Sequence, residues 1–345
     1  MFTFGSEFGV RWFLVGALPV IALASAPAGA HQRRSTPPPA QQAFADLPGV
    51  RLWFTDTGGH GEPVVFLHAI TGTSETWAPQ VAALSKAGYR LIAFDRRGWG
   101  RSIASPATGP QPGHASEDLH ALADHLSLER FHLVGVAGGG FVALDYAAWH
   151  GDRLRSLVVG ASTGSVSDTA IQDFIARIEI PGIRALPAHF REVGASYRGA
   201  NPDGVTRWLE IHERARQKDA PTQPLRSLNT FAKLATINVR TLVMAADADL
   251  LAPPGLMRVW AKYVKDAQWT VVPDAGHAIN WEKPDVFNEN LLRFFRGDRP
   301  FPKVTALQQC SPFSVLTARF VFRFTSDPSH RPMERRYSWP SRSAI

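Results

Sequence analysis

Between residues 49 and 299, short apolar runs alternate with stretches of helical periodicity, and this alternation constrains the fold more than any other property of the chain. The runs fall at 64–67, 90–94, 131–135, 157–159, 241–245 and 269–272. They are too short for helices, and they lack the regular polar alternation of a strand with one wet face. Between them lie helical patterns at 77–87 (Trp77, Val81, Leu84), 115–127, 139–149 (Val142, Ala143, Tyr146) and 284–296. Strands buried on both faces and separated by helices predict an α/β fold, with a mostly parallel central sheet flanked by helices.

The interval from 160 to 240 is too long for a plain crossover. It holds helical stretches with Ile171, Phe174 and Ile178, and with Trp208, Leu209 and Ile211. Pro181, Pro187, Pro202, Pro221 and Pro224 break it into pieces. We read it as an inserted helical cap, about 165–235, over the carboxyl ends of the strands, where open sheets bind ligands. Arg177, Arg184, Arg191 and Arg198 recur every seventh residue, but the prolines between them prevent a single helix face.

The ends of the chain differ in character. After a short start containing Glu7 and Arg11, residues 11–30 hold an apolar run and then Ala28-Gly29-Ala30, the small-residue pattern of a cleavable export signal. Residues 1–30 are therefore expected to be a signal peptide, and the mature protein to be periplasmic or secreted without stable membrane insertion. Residues 31–48 are expected to be a proline-rich linker and residues 300–345 a basic, poorly ordered extension, with 315–324 a possible short strand. The net charge of +7 comes largely from that extension, which carries seven Lys and Arg against two acidic residues. The body is close to neutral, which argues against a nucleic-acid partner and leaves a small-molecule substrate or ligand as the expected one. The single cysteine, Cys310, excludes an intrachain disulfide. His114, His120 and His125 lack metal-ligand spacing, and Gly138-Gly139-Gly140 lacks a phosphate-loop spacing, so neither metal nor cofactor is expected.

Four further segments carry chemistry. Leu67-His68-Ala69 follows the first apolar run. Asp95-Arg96-Arg97-Gly98-Trp99-Gly100-Arg101-Ser102 follows the second. Asp247 and Asp249 follow the fifth, and Pro273-Asp274-Ala275-Gly276-His277 follows the last. In this order and spacing, over about residues 50–297, the chain resembles the capped, serine-hydrolase type of the α/β-hydrolase family. The resemblance implies an acid at Asp249, or Asp247 as the alternative, and a histidine at His277. It also implies oxyanion donors in the backbone N–H groups of Ile70 and Gly138.

The family's nucleophile elbow is G-x-S-x-G between a strand and a helix. Here the equivalent stretch is Gly135-Val136-Ala137-Gly138-Gly139. The glycines permit the turn, but a methyl group stands at the nucleophile position, and it cannot form an acyl-enzyme. Gly160-Ala161-Ser162-Thr163-Gly164 also fits the pattern, so Ser162 is either a replacement nucleophile or a loop residue near the pocket. Trp77, Trp99, Phe141, Trp208 and Trp281 are candidate pocket walls, and His68 is either a loop brace or a base.

Three accounts follow. The chain derives from a serine hydrolase of small carboxylic esters or lactones, with Ala137 as an inactivating replacement. Alternatively, it is a nucleophile-free enzyme that uses His277–Asp249 as general base. Or it is a non-catalytic protein that binds a small ligand in the capped pocket.

Overall fold

The computed structural model describes residues 41–304 apart from Asp298. The leader at 1–30, the linker residues 31–40 and the extension from 305, including the run at 315–324, lie outside the described residues.

Period-two burial along the strands sorts the core into two layers. The strands are β1 Gln41–Leu47, β2 Val50–Asp56, β3 Pro63–Leu67, β4 Arg90–Phe94, β5 Ile103–Ala104, β6 Phe131–Val136, β7 Leu154–Gly160, β8 Thr241–Ala246 and β9 Gln268–Val272. They form one sheet in the order β1-β2-β4-β3-β6-β7-β8-β9, with β5 paired to β2. From β4 to β9 neighbouring strands are parallel, while β1, β2 and β5 add an antiparallel margin.

The helices are α1 Ala78–Lys86, α2 Ala115–His125, α3 Gly138–Trp149, α4 Thr169–Ile178, α5 Ala188–Glu192, α6 Ala195–Ala200, α7 Pro202–Glu213, α8 Phe231–Leu234, α9 Pro254–Ala261, α10 Ile279–Glu282 and α11 Pro284–Arg296. Val65 and Leu67 of β3 share one core layer with Leu119 of α2, Val142 and Tyr146 of α3, and Trp260 of α9. Val64 and Phe66 belong to the opposite layer, with Trp77, Leu84 of α1, and Phe287, Leu291 and Phe294 of α11. A strand covered on both faces by helices is the three-layer α/β arrangement expected from the sequence.

Helices α4 to α8 form the long connection from β7 to β8. Trp208 and Ile211 of α7 pack with Ala188, Val193 and Trp281 in a small core of their own. This insertion touches the loops at the carboxyl ends of the strands. Thr71 beyond β3 donates to Glu192 of α5, and the Ala278 N–H beyond β9 donates to the Glu192 carbonyl.

Both expected boundaries move outward. The stretch expected as linker to residue 48 already contains β1, whose Ala45 and Leu47 are buried. Leu47 pairs with Val50 across a two-residue turn at Pro48-Gly49, with Gly49 at φ +79°. At the other end, the extension expected from residue 300 begins with ordered packing. Phe301 and Val304 are buried, the Trp269 N–H donates to the Pro302 carbonyl, and the Val304 N–H donates to the Ala267 carbonyl. Residues 300–304 thus finish the β9 edge of the sheet.

The turn from β6 into α3 is a close backbone approach. A Cβ on Gly139 would stand 2.1 Å from the Leu67 carbonyl oxygen, and one on Gly135 would stand 2.5 Å from the Gly139 carbonyl oxygen. Both obstacles are backbone and cannot swing aside. Replacing Gly139 by Ala therefore forces α3 away from β3. Gly139→Ala is expected to lower the free energy of unfolding by about 2–4 kcal/mol, read from the urea midpoint.

Candidate active site

Ala137 links β6 to α3 and takes φ +50°, ψ −119°, a conformation that a Cβ disfavours. Backbone and neighbouring groups hold it there. Its N–H donates to the Gly160 carbonyl at 3.0 Å, and its carbonyl accepts from the Gly140 N–H at 3.0 Å and from the Ser162 hydroxyl at 2.7 Å. Ser162 is fully buried and also accepts from the Gly164 N–H. Its hydroxyl braces the elbow from behind and is not presented to a substrate, so the second G-x-S-x-G match is a structural one.

Gly138 opens α3, so its N–H has no acceptor within the helix. Ile70 lies opposite. A Cβ on Gly138 would be 2.5 Å from Ile70 Cγ1 and 3.4 Å from the Ile70 nitrogen. The Ile70 carbonyl accepts from Trp99 Nε1 at 2.7 Å, which fixes the loop carrying that N–H. His68 is fully buried, and both ring nitrogens are engaged with backbone. Nε2 accepts from the Arg96 N–H at 3.0 Å, so Nδ1 carries the proton and donates to the Ala69 carbonyl at 2.7 Å. It braces the Ile70 loop.

His277, on the loop after β9, meets Asp249, on the loop after β8. Their Nδ1–Oδ2 distance is 2.8 Å. The other carboxylate oxygen, Oδ1, accepts from the N–H groups of Leu251 and Ala252 at 2.8 and 2.9 Å. Three hydrogen bonds thus orient Asp249, and they leave His277 Nε2 as the free face of the imidazole. Asp247 is exposed and accepts from the Asp274 N–H, which ties the two loops together away from the imidazole. The geometry therefore pairs His277 with Asp249 and not with Asp247.

Two more carboxylates surround the pair. Glu192, from the insertion, is buried and accepts from Thr71 at 2.6 Å. Glu282, in α10, accepts from the Gly276 and Gly194 N–H groups and is held above the usual carboxylate range chiefly by burial. Burial opposes a charge on His277. The adjacent Asp249 overrides it, with Glu192 and Glu282 adding to the pull, and the imidazole is pushed up to about 9. No motif marks Glu192 in the sequence. Glu282 had a weak signal, an acidic residue in the first turn after the histidine loop.

A cavity of about 20 Å³ lies against His277, lined also by Thr71, Glu192, Trp208, Asn280 and Trp281. That volume suits about one water molecule. Of the expected aromatic walls, Trp208 and Trp281 line this cavity. Trp99 instead anchors the Ile70 loop, and Phe141 ties its carbonyl to Asn229. Trp77 is core, stacked on Phe66 at 4.6 Å. Among the described residues, no three His, Cys, Asp or Glu side chains are arranged to hold a metal ion, and no helix is long and apolar enough to cross a membrane.

Comparison with known proteins bears on the fold. Residues 64–290 match the model of the alpha/beta hydrolase family. The chain is 30% identical over 243 residues to "Putative carbamate hydrolase RutD" of Variovorax paradoxus, covering 68% of this chain and 91% of that one. A thermophilic esterase from Thermogutta terrifontis superposes with a TM-score of 0.59 at 24% identity, over 75% of this chain and 99% of that one. The enol-lactonase from Burkholderia xenovorans superposes with a TM-score of 0.58 at 23% identity, over 73% and 99%. The chain belongs to the α/β-hydrolase family.

The raised His277 pKa ties stability to pH. Its folded value, about 9, lies above the unfolded value of about 6.5. The stabilisation is fully present below pH ~6.5 and is lost as the pH rises through about 9. Chemical denaturation across this range should show a decline in stability that Asp249→Asn removes. The His277 ring resonances should titrate near 9, and nearer 6.5 or below in Asp249→Asn.

Proposed function

We propose that this chain is a serine-hydrolase scaffold for small carboxylic esters or lactones whose nucleophile position is occupied by Ala137. The observation that carries the reading is the elbow. Ala137 keeps a positive-φ backbone held by three hydrogen bonds, and its neighbour Val136 lines the same small cavity as His277. In this reading Asp249 orients and charges the imidazole, and His277 Nε2 faces the reacting atoms. The N–H groups of Gly138 and Ile70 receive the developing oxyanion. The insertion acts as a cap that closes the site, with Trp208 and Glu192 on its inner side against Trp281 of α10. Esterase and lactonase activity among structural neighbours supports the substrate class.

With Ala137 in place no acyl-enzyme forms, and the protein binds substrate without turning it over by that route. A serine at 137 differs from alanine by one hydroxyl. Ala137→Ser should raise hydrolysis of 4-nitrophenyl acetate at least ~10²-fold above the unaltered protein, and adding His277→Ala should remove the gain. No gain from a folded Ala137→Ser protein would overturn the reading.

A nucleophile-free mechanism makes a different demand. His277, pushed up to about 9, is mostly charged near neutrality, so its use as a base rises with pH in Ala137→Ser as in the unaltered protein. Base catalysis by His277–Asp249 in the unaltered protein would rise with pH toward about 9 and vanish in His277→Ala. A flat, His277-independent background favours the inactivated scaffold.

We further propose that residues 1–30 direct export and are removed. Mass spectrometry of the protein recovered outside the cytoplasm should give a mature N-terminus at His31.

A further inference from the structure

A second cavity, of about 290 Å³, lies beside the site without sharing a lining residue with the smaller one. It opens between α4, the segment that follows it, and the loop that carries Asp249. Ile175, Ile178, Ile183, Leu250 and Leu251 make its apolar wall. Ile180 and Leu250 on its border are 44% and 46% exposed, so the apolar wall opens to solvent.

The wall also contains two arginines from the seven-residue series that the sequence left unexplained. Arg184 and Glu179 form an exposed ion pair at 3.3 Å, so the rim largely cancels its own charge. Arg191 is different. Its Nε is buried without a hydrogen-bond partner, and among the described residues no hydrogen bond or ion pair engages its guanidinium. An unpaired donor of a fixed cation in an apolar wall is costly, and a planar carboxylate is the group whose geometry satisfies it.

We propose that this cavity binds an amphipathic monocarboxylate, its hydrocarbon chain against Ile178, Ile183 and Leu250 and its carboxylate on Arg191. A cavity of this size accepts a medium-length chain or a single aromatic ring. The proposal does not depend on any chemistry at Ala137, so it stands or falls separately from the restoration of activity by Ala137→Ser. The loop leading out of Asp249 carries Leu250 and Leu251, so a bound carboxylate lies against the backbone that orients the acid.

Calorimetric titration of the unaltered protein with octanoate and with octanamide tests it. The two share a chain and differ in charge. Octanoate is expected to bind saturably and at least about 10-fold more tightly than octanamide. Arg191→Gln should abolish that preference, and Ile178→Asp should weaken octanoate at least about 10-fold. Because His277 is itself cationic, His277→Ala is the control for an anion docking at the dyad, and it should leave octanoate affinity unchanged. Equal affinity for the two probes, a preference retained in Arg191→Gln, or a loss confined to His277→Ala would each overturn the proposal.

Discussion

The structure depends on one close approach, that of the first turn of α3 to the end of β3. It is possible because residues 135, 139 and 140 have no Cβ. The Leu67 carbonyl occupies the place where a side chain on Gly139 would begin, and the Ser162 hydroxyl lies 2.6 Å from where a Cβ on Gly140 would sit. This contact brings Gly138 against Ile70 and turns residue 137 outward from the sheet. The elbow is therefore held by backbone and neighbouring groups, and the side chain of residue 137 contributes little to it.

Electrostatics organise the other half of the site. Asp249 is fixed by two backbone N–H groups and the imidazole, while Glu192 and Glu282 approach from the insertion and from α10. Three carboxylates around one imidazole favour its charged form and stabilise negative charge poorly. Burial raises the Glu282 carboxyl, and the charge of Asp249 adds a smaller push. Thr71 and the Gly194 and Gly276 N–H groups compensate by donating to Glu192 and Glu282. The insertion is thus bound to the sheet loops by polar contacts made to the same carboxylates that set the histidine's charge.

The parallel strands were legible because burial on both faces writes them as unbroken apolar runs, and β3, β4 and β6 to β9 fall where those runs do. The β1–β2 hairpin was not. Its β2 mixes Arg51, Trp53 and Asp56 into the run, and β1 begins among residues that read as linker. The motif residues Ala137, Asp249 and His277 were legible because each lies in the turn or loop just past the end of a strand. The role of Ser162 was not, because a hydroxyl that braces and a hydroxyl that attacks share one sequence pattern. Glu192 and Arg191 were equally hidden. Their partners are 121 residues away in Thr71 for one, and absent among the described residues for the other. Short helices broken by prolines give no periodicity from which such neighbours can be inferred.

The Ser162 brace has an evolutionary consequence. Because it holds the carbonyl of residue 137 and not its side chain, exchange of the side chain leaves the turn's supports untouched. Alanine and serine codons of the GCN and TCN boxes differ by one base. Under the proposed reading, the chain therefore crosses between a reactive and a silent state by a single mutation. Selection on its ligand pocket and selection on its chemistry are in that sense separable.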